Sequence, residues 1–340
     1  MKHLRAKPGN KNKTGFLYLC AFLLLLFSGL FGILCGATEL GLSELIDILF
    51  FGDAESPAAR IFLYVRFPRV LAAFTCGAAL AVSGGVIQGV LANRLASPSI
   101  IGVNAGAGLA VTVSTALGIF GGWRLALFAF LGAFLSAMLV SFGARKWGAS
   151  RGTVILMGVA LNCLLGAISD TVITLIPDAG VLSNDFRVGS FSSVTYQKLL
   201  PALAVTLVVL VLLFTLSNEL EVLALGDESA KGLGLNTNRM RMLFLLLAAL
   251  LSGAAVSVCG LLSFVGLLVP HAVRRIAGTR SKHLLPLSAL LGAGFVALCD
   301  TLSRVLFSPY EIPVGIMMAF LGAPFFLFIL VKGKGGHSRA

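Results

Sequence analysis

Long apolar runs separated by short polar intervals fill the chain from about residue 15 onward. Most runs extend for about 20 residues, the length that an α-helix needs to cross a bilayer. They are continuous rather than alternating, so they lack the pattern of β-barrel strands. The pattern predicts an all-α, polytopic membrane protein with ten transmembrane helices. The predicted spans lie near residues 15–37, 68–91, 98–118, 122–143, 153–176, 199–217, 239–258, 262–277, 284–306 and 312–331.

Composition and charge also place the chain in lipid. Of its 340 residues 58% are hydrophobic and 12% are charged, and the mean hydropathy is +0.98. A net charge of +12 would suggest nucleic acid as the partner of a soluble protein, but here it follows the positive-inside rule. With cytoplasmic termini, the inner segments hold 19 lysines and arginines and the outer segments hold 7. We predict a multi-pass protein of the cell membrane with both termini cytoplasmic, in contact with anionic lipid and without a nucleic-acid partner.

Motifs for catalysis are missing from the sequence. The chain contains no GxxxxGK[ST] phosphate-binding loop and no HExxH zinc motif. Its six cysteines lie apart in apolar segments, where small buried residues are a better interpretation than metal ligands or disulfides. We therefore predict no catalytic residue, no metal site and no cofactor bound by this chain, and no ATP hydrolysis of its own.

Small residues at four-residue spacing occur in the second and third predicted spans. Gly85 and Gly89 form one pair, and Gly102 and Gly106 form another. Such spacing lets the backbones of neighbouring helices approach closely. It predicts a tightly packed bundle.

One short polar interval, Leu223–Asn236, separates the sixth and seventh apolar runs. Residues 226–228 (Gly-Asp-Glu) have the pattern of a helix start, because acidic residues are favoured at the positive end of the helix dipole. Residues 231–234 (Lys-Gly-Leu-Gly) have the pattern of a helix end, where glycine accommodates a left-handed cap. The pattern predicts a helix of one or two turns on the membrane surface. An ordinary hydrophilic loop is the alternative.

Two acidic residues fall inside predicted spans, where ionisable groups are costly and are therefore candidates for function. Asp300 lies one helical turn from Arg304, so an ion pair between them is as plausible as a transport role. Asp170 and Asn162 lie on the fifth predicted span among Gly, Ser and Thr, and could line a polar path. Because an isolated acid is what a proton-coupled carrier needs, a proton- or ion-coupled secondary transporter is the alternative function.

Five motifs follow one another in a fixed order in the chain after about residue 60. They are RFPRVLAAFTCGAALAVSGGVIQGVLANRLASPSIIGVNAGAG (66–108), LGDESAKGLGLN (225–236), SFVGLLVPHAVRRIAG (263–278), LLPLSALLGAGFVALCDTLSR (284–304) and EIPVGIMMAFLGAPFFLFIL (311–330). In these motifs the chain resembles the permease subunits of type II ABC importers, the iron-chelate and cobalamin permeases of the FecCD type.

This resemblance implies a dimeric permease, built from identical or different subunits, with the substrate path between them. Two cytoplasmic ATPase subunits would bind ATP and Mg²⁺, and an extracytoplasmic binding protein would deliver a metal chelate. The implied cargo is a ferric siderophore, with cobalamin and haem as alternatives. The permease would be one transmembrane domain over residues 15–332, with cytoplasmic tails at 1–14 and 333–340.

The resemblance also implies roles for individual residues. The segment 223–236 would couple the permease to the ATPase, through Asp227, Glu228, Ala230, Gly232, Leu233 and Gly234. The binding protein would dock on Arg66, Arg69 and Arg304, for which snorkelling to lipid phosphate is the alternative. A cytoplasmic gate would include Asn93 and Leu95, with Arg151 as a companion suggested by position. A capped helix end and a turn at Pro98 is the alternative for the gate. The translocation path would include Asn162, Asp170 and Phe186.

The chain departs from the family pattern at three places. Residues 93–98 read Asn-Arg-Leu-Ala-Ser-Pro where Asn-Pro-Leu-Ala-Asp-Pro is usual. A usual Gly-Pro pair is Gly260-Leu261, and Phe186 stands where tryptophan is usual. Because of the first two departures, the resemblance does not define the exact geometry of the gate or of the helix break. The third keeps an aromatic side chain in place.

Overall fold

The computed structural model describes residues 11–36, 41, 48, 56–146, 151–308 and 310–334, so most of the two predicted tails lies outside it. These residues form helices joined by turns, with no β-strand among them, which confirms the all-α prediction. In chain order the α-helices are α1 (Lys11–Leu34), α2 (Pro57–Ile61), α3 (Phe67–Val90), α4 (Val103–Ala116), α5 (Gly122–Lys146), α6 (Arg151–Leu175), α7 (Pro177–Val188), α8 (Tyr196–Thr215), α9 (Ser217–Ala224), α10 (Asp227–Gly232), α11 (Thr237–Cys259), α12 (Val265–Ala277), α13 (Ser281–Val305) and α14 (Val314–Lys334). A π-helical turn (Phe62–Arg66) joins α2 to α3, and a 3-10 turn (Pro98–Ile101) precedes α4.

Helices occupy the positions of all ten predicted spans, but their lengths differ. Of the helices at these positions, α4 has only 14 residues and α12 only 13. The polytopic architecture is therefore confirmed, whereas the number of ten crossings stays a prediction. Within the described residues, seven helical stretches are long and apolar enough to cross a membrane: Thr14–Leu34, Pro57–Val90, Gly122–Ala144, Arg151–Leu175, Tyr196–Thr215, Thr237–Cys259 and Ser281–Val305.

Helix α3 lies at the centre of the bundle. Most of its residues are buried, and it packs against α11, α12 and α13. Close approach to α12 requires glycine, because a Cβ atom on Gly84 would collide with the backbone of Gly266. The sequence spacing predicted this role for Gly85, where a Cβ atom would instead lie 3.5 Å from the Pro270 side chain, an ordinary contact. The backbone contact between the two helices therefore falls one residue earlier than predicted.

The second predicted glycine pair serves two different purposes. Gly106 packs directly against Gly132 of α5, so a Cβ atom on Gly106 would collide with its carbonyl oxygen. Gly102 has a φ of +91° and lies between the 3-10 turn and α4. Its position needs glycine for the backbone conformation rather than for close packing.

A proline shapes the contact between α3 and α12. Pro270 has no N–H group, so the carbonyl of Gly266, four residues earlier, loses its usual helical donor. The amide of Gln88 on α3 donates to this carbonyl over 3.1 Å. Arg274 of α12 in turn donates to the Gln88 side chain and, over 3.3 Å, to the Gly85 carbonyl. These bonds fix the short helix α12 along α3.

Short helices that the apolar pattern did not predict lie at the ends of the long ones. Ser56 caps α2 by accepting a hydrogen bond from the N–H of Ala59, and α2 continues through the π-helical turn into α3. Helix α7 begins at Pro177 and ends before Gly189, whose φ is +85°. Helix α9 follows α8 directly. Taken alone, each of these segments is too short or too polar to register as a membrane span, although α2 extends the apolar stretch that contains α3.

The cysteines differ in their surroundings. Cys76, Cys259 and Cys299 are buried, as predicted for small apolar residues. Cys20 and Cys163 are exposed on the surface of this single chain, so the prediction of burial is wrong for them. An apolar segment does not reveal which of its faces packs against the bundle.

Candidate functional site

The segment between α8 and α11 forms two short helices rather than a loop. Helix α9 precedes Gly226, which has a φ of +116°, and α10 follows it as the predicted helix of one to two turns. Gly234, with a φ of +82°, ends this helix, as the glycine pattern indicated. The side chain of Asn236 then caps α11 by accepting from the N–H of Arg239 over 3.1 Å. We keep the name coupling segment, for its predicted role, for residues 223–236, which comprise the end of α9, α10 and the turn up to Asn236.

An ionic cluster holds the coupling segment against two long helices. Both carboxylate oxygens of Asp227 accept hydrogen bonds from Nη2 of Arg241, over 2.6 and 2.8 Å. Nη2 of Arg151, at the start of α6, lies 3.5 Å from Asp227 and donates to the carbonyl of Leu223 over 3.0 Å. The hydrogen bond from Arg241 lowers the pKa of Asp227 below its ordinary value of 3.8, so the carboxylate is charged at neutral pH.

Two members of this cluster were not expected. Arg151 was predicted to accompany the gate, but the structure places it on the coupling segment, because sequence position alone does not show what a side chain contacts. Arg241 was not assigned any role. A signal for it exists in the sequence: a cation near the start of α11 is unfavourable beside the positive end of the helix dipole, so it needs an acidic partner.

The predicted coupling residues divide between two sides of α10. Ala230 is fully buried and packs the helix onto the bundle. Glu228, Gly232 and Gly234 are exposed together with Leu233. The side chain of Leu233 is 67% exposed, and a Cβ atom on either glycine would meet nothing within 4 Å. This face is open to a partner.

The predicted gate residues lie in a tight turn after α3. The side-chain oxygen of Asn93 accepts from the N–H of Leu95 over 2.9 Å, and Ala92 has a φ of +45°. The N–H of Asn93 donates to the Gln88 carbonyl over 3.2 Å, and Leu95 is exposed. This geometry agrees with the alternative of a capped helix end. The gate role of both residues stays a prediction.

The three predicted path residues do not form one cluster. The amide of Asn162 donates to the carbonyl of Ser99 over 2.8 Å and thereby fixes α6 to the 3-10 turn. Asp170, further along α6, has a side chain that is 72% exposed and lies 3.8 Å from Arg187 of α7. The carbonyl of Phe186 accepts from the N–H of Leu261 over 2.9 Å. Asp170 is therefore not the isolated acid on which the secondary-transporter alternative was based.

Arg69, Asp300 and Arg304 form a buried ionic cluster between α3 and α13. Arg69 donates to both oxygens of Asp300 over 3.0 to 3.1 Å and to Oε2 of Glu311 over 2.9 Å. Arg304 Nε lies 3.4 Å from Asp300, which confirms the predicted pair. Arg69 is the stronger partner of Asp300 because it makes the two-pronged contact that a guanidinium offers a carboxylate.

Arginines also hold the end of α1. Arg66 donates to the carbonyls of Ile33 and Leu34 over 2.5 and 2.7 Å. Arg304 donates to the carbonyls of Gly32 and Cys35 over 3.0 and 3.1 Å. These carbonyls lack helical donors and carry the negative end of the helix dipole, so cations stabilise them. Both arginines and Arg69 are buried, which disfavours snorkelling, and docking on them stays a prediction.

Comparison with known proteins identifies the family. Residues 24–332 match the FecCD transport family. The chain belongs to this family. It is 36% identical over 318 residues to the Fe(3+)-citrate import system permease protein YfmD of Bacillus subtilis, covering 94% of this chain and 95% of that protein. It is 37% identical over 286 residues to the hemin transport system permease protein HmuU of Yersinia pestis, covering 82% and 85%.

A solved structure supports the same conclusion. An inward-facing transporter assigned to the metal-chelate type of ABC transporters superposes with a TM-score of 0.79 at 28% sequence identity, covering 94% of this chain and 99% of that one. The helical bundle of this FecCD-family chain is thus the bundle of an ABC permease. The chain is a multi-pass membrane permease.

Proposed function

We propose that this permease imports a ferric siderophore, taking it from an extracytoplasmic binding protein and releasing it into the cytoplasm by alternating access. Its relatives are named for the import of iron citrate and of hemin, so a metal chelate is the cargo class that they share. Haem and cobalamin are the alternatives within the family. ATP hydrolysis would take place on a separate ATPase, because this chain has no phosphate-binding loop.

The ionic cluster at Asp227 is the observation that carries the proposal. If an ATPase docks on the exposed face of α10, its movement would displace α10, and the ion pairs of Asp227 would transmit this displacement to the helical bundle. Its partners lie on different helices, Arg241 on α11 and Arg151 at the start of α6. Charge-assisted hydrogen bonds of this kind are short and strong enough to hold α10 in register with both helices. The coupling segment would therefore pull on α6, which carries Asn162 and Asp170.

A second permease subunit, identical or related, would complete the path. Helix α6 is long and apolar enough to cross a membrane, yet most of its surface is exposed in the single chain. The exposed residues include Asp170, Thr171 and Thr174. Ionisable and polar side chains facing lipid are unfavourable. Contact with a second subunit across a hydrated path would give these side chains a polar environment. The predicted cytoplasmic location of both termini would place the coupling segment on the cytoplasmic side of the membrane, where the ATPase lies.

Reconstituted vesicles would test the proposal. They would contain this chain, a cognate ATPase and a binding protein, with radioactive iron supplied as ferric siderophore or citrate and with hemin and cobalamin in parallel. We expect ATP-dependent uptake of the siderophore, and none with an ATPase whose phosphate-binding lysine is replaced. Uptake by this chain without an ATPase would show a secondary transporter. Uptake of hemin or cobalamin without uptake of the siderophore would overturn the proposed cargo, whereas the assignment of the chain as an importer permease would stand.

A further inference from the structure

Two cavities lie side by side at the end of the bundle where α5 and α8 begin and α11 ends. The first is apolar, has a volume of about 480 Å³ and is lined by Trp123, Phe130, Pro201, Val205 and Ala254 among others. The second, which we call the polar cavity because its lining is more polar than that of the first, has a volume of about 490 Å³ and is lined by Asp185, Ser190, Ser192, Ser193 and Thr195 among others. Both are lined by Ala126, Lys198 and Ser257, so they form one continuous groove.

The apolar half of the groove lies between two helices that expose apolar surface. Helices α5 and α8 both pack on α11, whose Ala254 forms the floor. Leu127 on α5 and Leu200 on α8 are exposed on either side, as expected of residues that face lipid. A slot of this size falls within the range of ligand sites and can accept a flexible acyl chain, since burial of each methylene group is favourable.

Lys198 lies where the two halves meet. Its Nζ donates to the carbonyl of Ser193 over 3.0 Å and lies 3.4 Å from the hydroxyl of the same residue. In the part of the chain that the structure describes, no ion pair within 4.0 Å neutralises it. Pro201 also deprives the carbonyl of Gln197 of its usual helical donor, which leaves an acceptor beside the lysine. An ammonium group among hydroxyls at the membrane surface complements a phosphate diester.

The charge of the polar half selects among phospholipids. Asp185 lines the same cavity as Lys198, so a headgroup that brings a positive charge to Asp185 is favoured there over an uncharged headgroup such as the glycerol of phosphatidylglycerol. A headgroup with an ammonium beyond its phosphate matches both side chains. Trp123, at the start of α5 and 5.9 Å from the Arg124 guanidinium, adds the aromatic residue typical of the membrane interface.

We propose that this groove binds one phospholipid of the phosphatidylethanolamine class. One acyl chain occupies the apolar cavity, the phosphate contacts Lys198, and the ammonium enters the polar cavity on the side of Asp185. Phe186, a predicted path residue, also lines the polar cavity, so the lipid would lie directly behind the predicted path. This site is separate from the coupling segment and does not depend on the identity of the cargo.

Native mass spectrometry of the purified full-length chain tests the proposal, with phosphatidylethanolamine and phosphatidylglycerol titrated separately. We expect one retained phosphatidylethanolamine per chain, bound more tightly than phosphatidylglycerol. Lys198→Ala should weaken its retention about tenfold, as expected for the loss of one charge-assisted hydrogen bond, and Lys198→Arg should preserve most of it. Ala126→Phe should block the groove where its two halves meet.

Matched controls separate a specific site from general contact with lipid. Arg124→Ala removes a neighbouring exposed cation that lines neither cavity, and Ala204→Phe adds the same bulk to an exposed position of α8 outside the groove. Both should retain phosphatidylethanolamine like the unmodified chain. Equal weakening by Lys198→Ala and Arg124→Ala would overturn the proposal, and so would tighter binding of phosphatidylglycerol. Loss of uptake in Ala126→Phe with unchanged lipid retention would assign the cavity to the cargo instead.

Discussion

The guanidinium of Arg69 and the carboxylate of Asp300 face each other at 3.0 to 3.1 Å across the interface of α3 and α13. Both side chains are almost completely buried, and Arg304 approaches the same carboxylate from one turn away. Asp300 therefore shares its single negative charge between two arginines, and Glu311 supplies a second carboxylate to Arg69, while Arg304 also holds the end of α1. Through this carboxylate, helices α1, α3 and α13 are joined at one end of the bundle.

Asp300→Asn should destabilise the chain by about 3–5 kcal/mol, because it removes the carboxylate that pairs with buried Arg304 and leaves buried Arg69 with the exposed Glu311 alone. Thermal unfolding in detergent, followed by intrinsic fluorescence, measures the loss. Asp170→Asn is the matched control, since its pair with Arg187 is exposed and should contribute about 0–1 kcal/mol. Equal shifts for the two variants would contradict the assignment of Asp300 as a buried structural acid.

Arg66→Glu tests whether this arginine serves the binding protein, the fold or both. Losing its bonds to the Ile33 and Leu34 carbonyls should lower the unfolding temperature of the chain alone. If Arg66 also docks the binding protein, the folded variant should capture that protein more slowly, with the largest difference at low salt. Unchanged capture at low ionic strength would leave Arg66 with the structural role only.

Leu233→Glu should uncouple ATP hydrolysis from uptake while the permease stays folded. The side chain is exposed on α10, and an apolar anchor in a partner cleft loses its contact when it becomes charged. Stimulated ATPase activity and uptake in reconstituted vesicles measure the effect. Leu117→Glu, at an equally exposed position after α4, is the control and should retain normal coupling. Normal transport by Leu233→Glu would remove α10 from the ATPase contact.

Asp227→Asn should weaken coupling by releasing α10 from Arg241 and Arg151. Because the pKa of Asp227 is lowered below 3.8, its stabilising contribution is present at neutral pH and is lost only as the pH falls through that lowered pKa. Uptake per ATP hydrolysed should therefore fall in the variant and, in the unmodified chain, stay constant between about pH 6 and 8. Glu228→Gln, one residue further and exposed, isolates any effect of charge on the partner contact. If Glu228→Gln lowers uptake as much as Asp227→Asn does, the loss of one negative charge on α10 explains the effect, and the ion pairs of Asp227 with Arg241 and Arg151 do not.

Local patterns in the sequence predicted local structure well. Continuous apolar runs located the long helices, because helix length in lipid is set by bilayer thickness. Glycines around an acidic start predicted α10, and the four-residue spacing predicted the pair of Asp300 and Arg304. Each of these predictions depends on neighbours along the chain, which a sequence displays directly.

Contacts between distant segments could not be predicted in the same way. Arg69 and Asp300 are 231 positions apart, and Arg151 reaches the coupling segment from the start of another helix. Which face of a uniformly apolar helix packs inward depends on the rotation of the helix, and the apolar pattern does not fix it. For the same reason the sequence pointed to Gly85, whereas the backbone contact with α12 is made by Gly84.

Gly84→Ala should be among the most damaging single-methyl substitutions in the bundle. The added Cβ atom would meet the backbone of Gly266, which cannot rotate away as a side chain can, so α3 and α12 would have to separate. Overpacking of this kind typically destabilises by about 1–3 kcal/mol. Gly15→Ala, where the new methyl meets nothing within 4 Å, should be neutral or stabilise α1 by roughly 0.5–1 kcal/mol. Unfolding temperatures of the two variants in one detergent give the comparison, and a Gly84→Ala chain as stable as Gly15→Ala would show that α3 and α12 do not touch through their backbones.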